Sequence, residues 1–231
     1  MKIKIVSFEN EIDFFDKSSL VLNVLNSKLY IRIVESLYFL NQGKEGKESI
    51  TLYDNDKLID FSKDATMIFD ILNYDINERK NLTKFYKYIE EQQQNNEEIK
   101  EKINVIEREL IWLLNEIEID LPFSVISKDS FLLADYLKLL DIRIENDLCD
   151  SFVEKTYVLL DFLNEIMGYK LIILVNCRVY FSENEIKEIV KFINYKKLRV
   201  LFLESNESVS KVEGEILHLI DDDFEEFVEK N

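Results

Sequence analysis

Residues 170–176 read KLIILVN and residues 199–205 read RVLFLES. Each is an unbroken apolar run of strand length, and a run without polar alternation is what a strand covered on both faces requires. Between them, Ser182 and Glu185 have the spacing of a capping box, and Ile186, Ile189, Val190 and Ile193 follow at helical intervals. Strand, helix and strand in this order predict a βαβ unit, hence a parallel pair joined by a right-handed crossover. The fold class is therefore α/β.

Working outward, residues 152–167 are amphipathic with a helical period, and the opening MKIKIVSF alternates as a short strand does. In residues 28–41, Leu29, Ile33, Leu37 and Leu40 mark one face of a helix. SITLY and KLIDFS, on either side of DND, read as a hairpin. From Ser62, a plausible N-cap, the pattern turns helical for about ninety positions. It is clearest over residues 95–116, where Ile99, Ile103, Ile106, Leu110 and Leu113 form a heptad-like seam expected to face a partner helix. EEQQQNNEE before it reads as an exposed turn between two antiparallel helices; Pro122 interrupts the pattern and residues 131–140 resume it. The expected organisation is an α/β head from residues 1–66 and 146–231, with a mostly helical leg, residues 67–145, inserted into it.

Of 231 residues, 47% are hydrophobic and 32% charged, with only four Gly and one Pro, which excludes collagen-like, low-complexity and propeller architectures. Acidic side chains number 46 against 29 basic, a formal charge of -17, which argues against a general nucleic-acid binder. The last 28 residues alone hold 10 acidic and 2 basic side chains. Cys149, Cys177 and His218 are too few for a structural zinc site or a disulfide framework and point to a reducing, cytoplasmic setting. No apolar run is long enough to span a membrane.

The parallel sheet invites a nucleotide-binding reading, and GKEGKES has the look of a phosphate loop. GxxxxGK[ST] would need Gly at position 41, which is Asn, and a hydroxyl at position 48, which is Glu. The segment also lies between a helix and a strand, whereas a phosphate loop follows a strand and opens a helix. A metal-holding acid at the end of LIILV is missing too, since Asn176 stands there. Nucleophilic catalysis lacks a set: His218 lies in an alternating apolar stretch and neither cysteine has an electropositive neighbourhood, so all three read as packing residues. Glu116, Glu118 and Asp120, with Asp129 and Asp135 beyond the turn, could offer oxygen ligands to Ca2+ or form a solvated helix end. Asp221, Asp222 and Asp223 read as a solubilising run. The segments around Lys28 and Arg32, Lys138 to Arg143, and Lys187 to Arg199 are locally neutral to basic, either phosphate-facing or plain solvated surface.

The run from LIILVNCRVYF to VLFLESNE resembles the C-terminal segment of the CRISPR-associated spacer-acquisition proteins of type II-A systems, the Csn-two family. DILNYDIN, ERELIWLLNEIEIDL and YLKLLDIRIE are similar, in the same order, to that family's passage into its helical leg, its long helix with an acidic end, and its return to the head. The resemblance implies a head related to phosphate-loop nucleotide-binding folds without a working loop. It implies no enzyme, but a homotetrameric ring that binds double-stranded DNA ends without sequence specificity, requires Ca2+ as cofactor, and acts with the CRISPR integrase pair and the RNA-guided nuclease. Arg32, Lys138 and Arg143 fall on family basic positions, with Lys28 a neighbour, as candidate DNA contacts. Glu118 and Asp120 fall on the family's acidic stretch and Asp135 on a nearby acid, as candidate metal ligands; Ser124 stands where relatives carry another acid. The competing reading is an acidic protein-binding adaptor with incidental DNA contact, and a third is an unusual nucleotide hydrolase.

Overall fold

The computed structural model describes residues 1–55, 57–126, 130–145 and 150–230. Asp56 of the hairpin turn, Asp129 and Cys149 lie outside the described residues. The chain divides into two compact units, residues 1–74 with 146–231, and residues 75–145.

The first unit holds β1 (Lys2–Ile5), β2 (Ile12–Asp13), β3 (Ser19–Val24), α1 (Ser27–Asn41), β4 (Ile50–Asp54), β5 (Lys57–Leu58), α2 (Phe61–Asp64) and β6 (Ala65–Ile68) from its first segment. Its second segment supplies α6 (Phe152–Asp161), β7 (Leu171–Val175), α7 (Glu183–Lys196), β8 (Val200–Glu204), β9 (Glu215–Ile220) and β10 (Glu226–Glu229). Six strands form one sheet in the order β10-β9-β3-β8-β7-β6, parallel except for β10 at one edge. A smaller antiparallel sheet has the order β2-β1-β4-β5.

β7 and β8 are buried along their whole length because both faces of the large sheet are covered. Leu171, Ile173, Val175, Leu201 and Leu203 share a core with Leu29, Ile33 and Leu37 of α1 and with Ile3, Ile5, Ile50 and Leu52 of the small sheet. The alternate residues Ile172, Leu174, Val200 and Phe202 are equally buried and, with a period of two, face the other side. There α7 lies against β3 and α6 against α7, Tyr157 stacking on Phe192 at 4.3 Å. Burying a side chain such as Phe202 contributes about 2–3 kcal/mol. The capping box of α7 is present, Ser182 accepting from the Glu185 N–H and Glu185 from the Ser182 N–H.

The structure corrects the sequence reading in several places. β3, the strand at the centre of the sheet, was not anticipated. The helical pattern does not begin at Ser62: Asp60 caps α2, accepting from both the N–H and the hydroxyl of Ser62. Residues 65–68 are a strand, since Ala65, Thr66, Met67 and Ile68 are all buried and pair in parallel with β7. The second unit accordingly starts at residue 75 rather than 67. The 152–167 helix becomes a π-helical turn at Phe162–Ile166. The acidic run near the C-terminus is a turn in which Asp221 Oδ1 accepts from the N–H groups of Asp223 and Glu225, leading into β10.

The second unit holds α3 (Arg79–Gln93), α4 (Glu97–Ile119) and α5 (Leu133–Leu139). α3 and α5 pack together around Tyr86 and Ala134, and the Tyr86 hydroxyl donates to the Ile142 carbonyl at 2.7 Å. The Asn77 side chain accepts from the Ile144 N–H and donates to its carbonyl, both at 2.9 Å, so one amide fastens the start of the unit to its end. α4 is capped by Asn96, but none of its residues is buried. The expected seam is therefore not covered within the described residues of one chain: Ile106, Leu110 and Leu113 stand 49%, 36% and 48% exposed.

Candidate nucleic-acid interface

β3 to α1 is one connection in which a strand of the large sheet leads into a helix, as a phosphate loop must. That connection is two residues, Leu25 and Asn26, and the Asn26 side chain accepts from the Leu29 N–H at 3.0 Å. One of the N–H donors that would face a phosphate there is thus taken by the chain itself. The glycines at 43 and 46 lie between α1 and β4, where Ser36 of α1 receives the Glu48 N–H. A strand-end acid does exist, on β8 rather than β7. Glu204 is 3% exposed, and its Oε1 accepts from the N–H groups of Cys177 and Arg178 at 3.1 Å each. Burial pushes its carboxyl up to about 7 against those hydrogen bonds and the Arg178 charge. Beside it Arg178 Nη2 pairs with Glu215 Oε1 at 3.0 Å, both side chains almost wholly buried. Sequence reasoning missed this network because the partners lie 26 and 37 positions apart.

Cys177 is buried, and burial pushes its thiol up to about 12, so it is no nucleophile at neutral pH. His218 is 2% exposed, with Nε2 at 3.2 Å from Glu226 Oε2; burial lowers its pKa against the pull of that carboxylate. It therefore joins β9 to β10 as a neutral packing residue.

On α1, Lys28 is exposed in the first turn, which contains no acid, so its charge adds to the positive end of the helix. Arg32 follows one turn later, 46% exposed, but its Nε lies 2.6 Å from Oε1 of the mostly buried Glu48. In the second unit, Lys138 stands 3.7 Å from Asp135. Arg143 donates through Nε and Nη2 to Asp141 Oδ2 at 3.1 and 2.9 Å, a pairing that raises its pKa. All four cations reach solvent, and three already hold a carboxylate of their own chain.

The three candidate metal ligands have local employment. Glu118 Oε1 accepts from the Val125 N–H at 3.1 Å, folding back over the turn after α4. Asp120 is the exposed C-cap residue of α4. Asp135 Oδ2 accepts from the Leu132 N–H at the start of α5. Ca2+ takes six to eight oxygen ligands. Among the described residues no three His, Cys, Asp or Glu side chains stand close enough to share a metal ion, so Glu118, Asp120 and Asp135 are not gathered around one point. No described helix is long and apolar enough to cross a membrane.

A family model described as CRISPR-associated protein (Cas_Csn2) matches residues 42–224. The chain belongs to the Csn2 family. The CRISPR-associated protein Csn2 of Enterococcus faecalis is 26% identical over 184 residues, 78% of this chain and 80% of that one. The CRISPR-associated protein Csn2 of Streptococcus agalactiae is 23% identical over 188 residues, 80% of each. Stu0660 of Streptococcus thermophilus, known from a crystal structure, superposes with a TM-score of 0.58 at 15% identity, covering 98% of this chain and 76% of its own; the likeness is one of fold. The Csn2 match reaches across the leg and both strands from which the α/β class was read, and it begins after β1, β2, β3 and the whole of α1.

Proposed function

We propose that this chain is a non-catalytic protein that binds double-stranded DNA ends without reading sequence. It acts as a homotetrameric ring in CRISPR spacer acquisition, alongside the integrase pair and the RNA-guided nuclease. The observation that carries the reading is the family match over residues 42–224 of a chain whose β3–α1 turn is closed by its own Asn26. The head is read as a relative of phosphate-loop folds that has lost the loop. The acid-free start of α1, with Lys28 and Arg32 one turn apart, suits a phosphate backbone; Lys138 and Arg143 are the contacts assigned to the leg.

Lys28→Gln, Lys138→Gln and Arg143→Gln are each expected to weaken duplex binding and lower its salt slope by about one. Arg32 is better replaced by Lys than by Glu, because a carboxylate there would face Glu48. Retention of a linear duplex by a variant carrying all three Gln substitutions would refute the contact assignment. Calcium is tested separately, by comparing solution mass with and without Ca2+.

The adaptor reading has one observation in its favour: Arg32, Lys138 and Arg143 are each paired with a carboxylate, which reduces the positive field they present. A shift assay with linear duplex, in the presence and absence of Ca2+, separates the two, since an adaptor with only incidental contact gives at most a weak shift that is the same in both.

A further inference from the structure

The amino ends of β8, β3 and β9 lie side by side at one end of the large sheet's strands, Ser19 pairing with both Val200 and Glu215. This is the end opposite to the one at which α1 begins. The residues leading into those strands, Lys17 and Ser18, Arg199 and Gly214, line an open cavity of about 470 Å3 together with Asp16 and with Asn194 and Lys197 from the end of α7. Three cations thus meet one carboxylate. Nearby Lys170 and Lys196 are paired with Asp64, Asp161 and Glu165, whereas Lys17, Lys197 and Arg199 make no ion pair among the described residues. In a chain of charge -17, three unpaired cations on one cavity call for an explanation.

The floor of the cavity is fixed. Asn194 Oδ1 accepts from the Ser18 N–H at 3.2 Å, and its Nδ2 donates to the carbonyls of Val190 and Gly214 at 2.9 and 3.0 Å, so one amide joins three segments. Gly214 has φ +93, and a Cβ there would stand 2.9 Å from Asn194 Nδ2, which restricts the position to glycine. Arg199 Nη1 donates to Ser18 Oγ at 3.1 Å, which orients the guanidinium and leaves donors of its fork for a ligand. Lys197 caps α7 with φ +56, a conformation that glycine adopts without strain. The helix dipole accounts for a cation at the end of α7, but not for Lys17, which arrives from the far side of the chain, nor for the orientation of Arg199.

We infer that this cavity binds a phosphate group, with Arg199 as the hydrogen-bonding fork and Lys17 and Lys197 as point charges. The site is distinct from the cations on α1 and in the leg and does not rest on their binding duplex. The phosphate can belong to a free ion or nucleotide or to the 5′ end of a DNA strand.

The full chain is titrated calorimetrically with inorganic phosphate, with ATP, and with matched 5′-phosphorylated and 5′-hydroxyl duplexes. At least one phosphate-bearing probe is expected to bind with a Kd below about 1 mM. Arg199→Gln should weaken it roughly tenfold, and Lys197→Gly and Lys17→Gln at least about fivefold. Lys197→Gly also relieves the positive φ, so its thermal midpoint should not fall, and loss of binding in it cannot be laid to misfolding. Binding of phosphate or ATP without preference between the duplexes identifies a free source; a preference for the 5′-phosphorylated duplex that Lys197→Gly abolishes identifies a strand end. No binding of any probe at about 10 mM, or equal affinity in wild type, Lys197→Gly and Arg199→Gln, overturns the inference.

Discussion

Arg178 and Glu215 form an ion pair that water barely reaches, with side-chain exposures of 7% and 0%. The arginine also lies over the Phe202 ring, 5.2 Å from its centroid, and the glutamate accepts from the Val212 N–H at 2.7 Å. Such a pair is defined more by what its loss leaves behind than by its own strength. Arg178→Met should cost about 3–5 kcal/mol in urea unfolding, because Glu215 is left charged and buried, while Arg178→Met with Glu215→Gln should recover most of that loss. Additive losses in the double variant would contradict this. Glu204 makes a pH-dependent contribution of a defined sign. Its folded pKa of about 7 exceeds the ordinary 4.5, so between these values the unfolded chain has released a proton that the folded chain keeps. Stability is therefore lost as pH rises through that window and stays level above it. Glu204→Gln retains an acceptor for the two N–H groups and cannot ionise. Relative to wild type it should gain up to about 3 kcal/mol between pH 4.5 and pH 7.5; a constant difference across that range would rule the account out.

At the scale of the element, α7 is set by its ends. Ser182→Ala removes the acceptor for the Glu185 N–H and should cost about 1 kcal/mol of global stability, measurable as a lowered urea midpoint. α4 is the opposite case, a 23-residue helix with no buried residue, whose Ile106, Leu110, Leu113 and Ile117 lie open. Isolated helices of polar surroundings are marginal, and tertiary burial normally supplies their stability. If copies of the chain associate through this seam, Leu113→Lys should lower the solution mass while leaving the head's unfolding transition in place; an unchanged mass would assign association elsewhere. The legibility of each element in the sequence follows from how local its cause is. β7, α7 and β8 could be read directly, since apolar runs and a capping box are contained in the segment itself. β3 could not, because Ser19 and Asn23 interrupt its run; Asn23 is buried for the sake of its hydrogen bonds with Asn206, 183 positions away. β6 has four residues, too few for a period of two to be told from a helical turn. The candidate cations were found as residue types, but Glu48, the partner that engages Arg32, comes from the loop before β4. The cavity uniting Lys17 with Arg199 exists only because β3 and β8 are neighbours in the sheet.

For the whole molecule, the charge of -17 is less uniform in effect than in sum. Several acids of the acid-rich C-terminal segment are turned inward: Glu204 and Glu215 are buried, and Glu226 accepts from the N–H groups of Glu9 and Asn10, tying β10 to the N-terminal segment. These groups shape the head rather than merely solubilise it. Under the proposed function, the acids left outside would repel DNA in general, so a duplex would be accepted only where cations such as Lys28 and Arg32 gather, and the symmetry of a ring would multiply a few cations into a continuous contact. The central claim is that several copies of this chain enclose a duplex end. It is tested most directly by measuring, in one buffer containing Ca2+, the mass of the protein and its affinity for a linear duplex and for a covalently closed circle of the same sequence. The account predicts a tetramer that retains the linear form, releases it steeply as salt rises, and leaves the circle unbound. A monomer, or equal retention of circle and linear duplex, would contradict it.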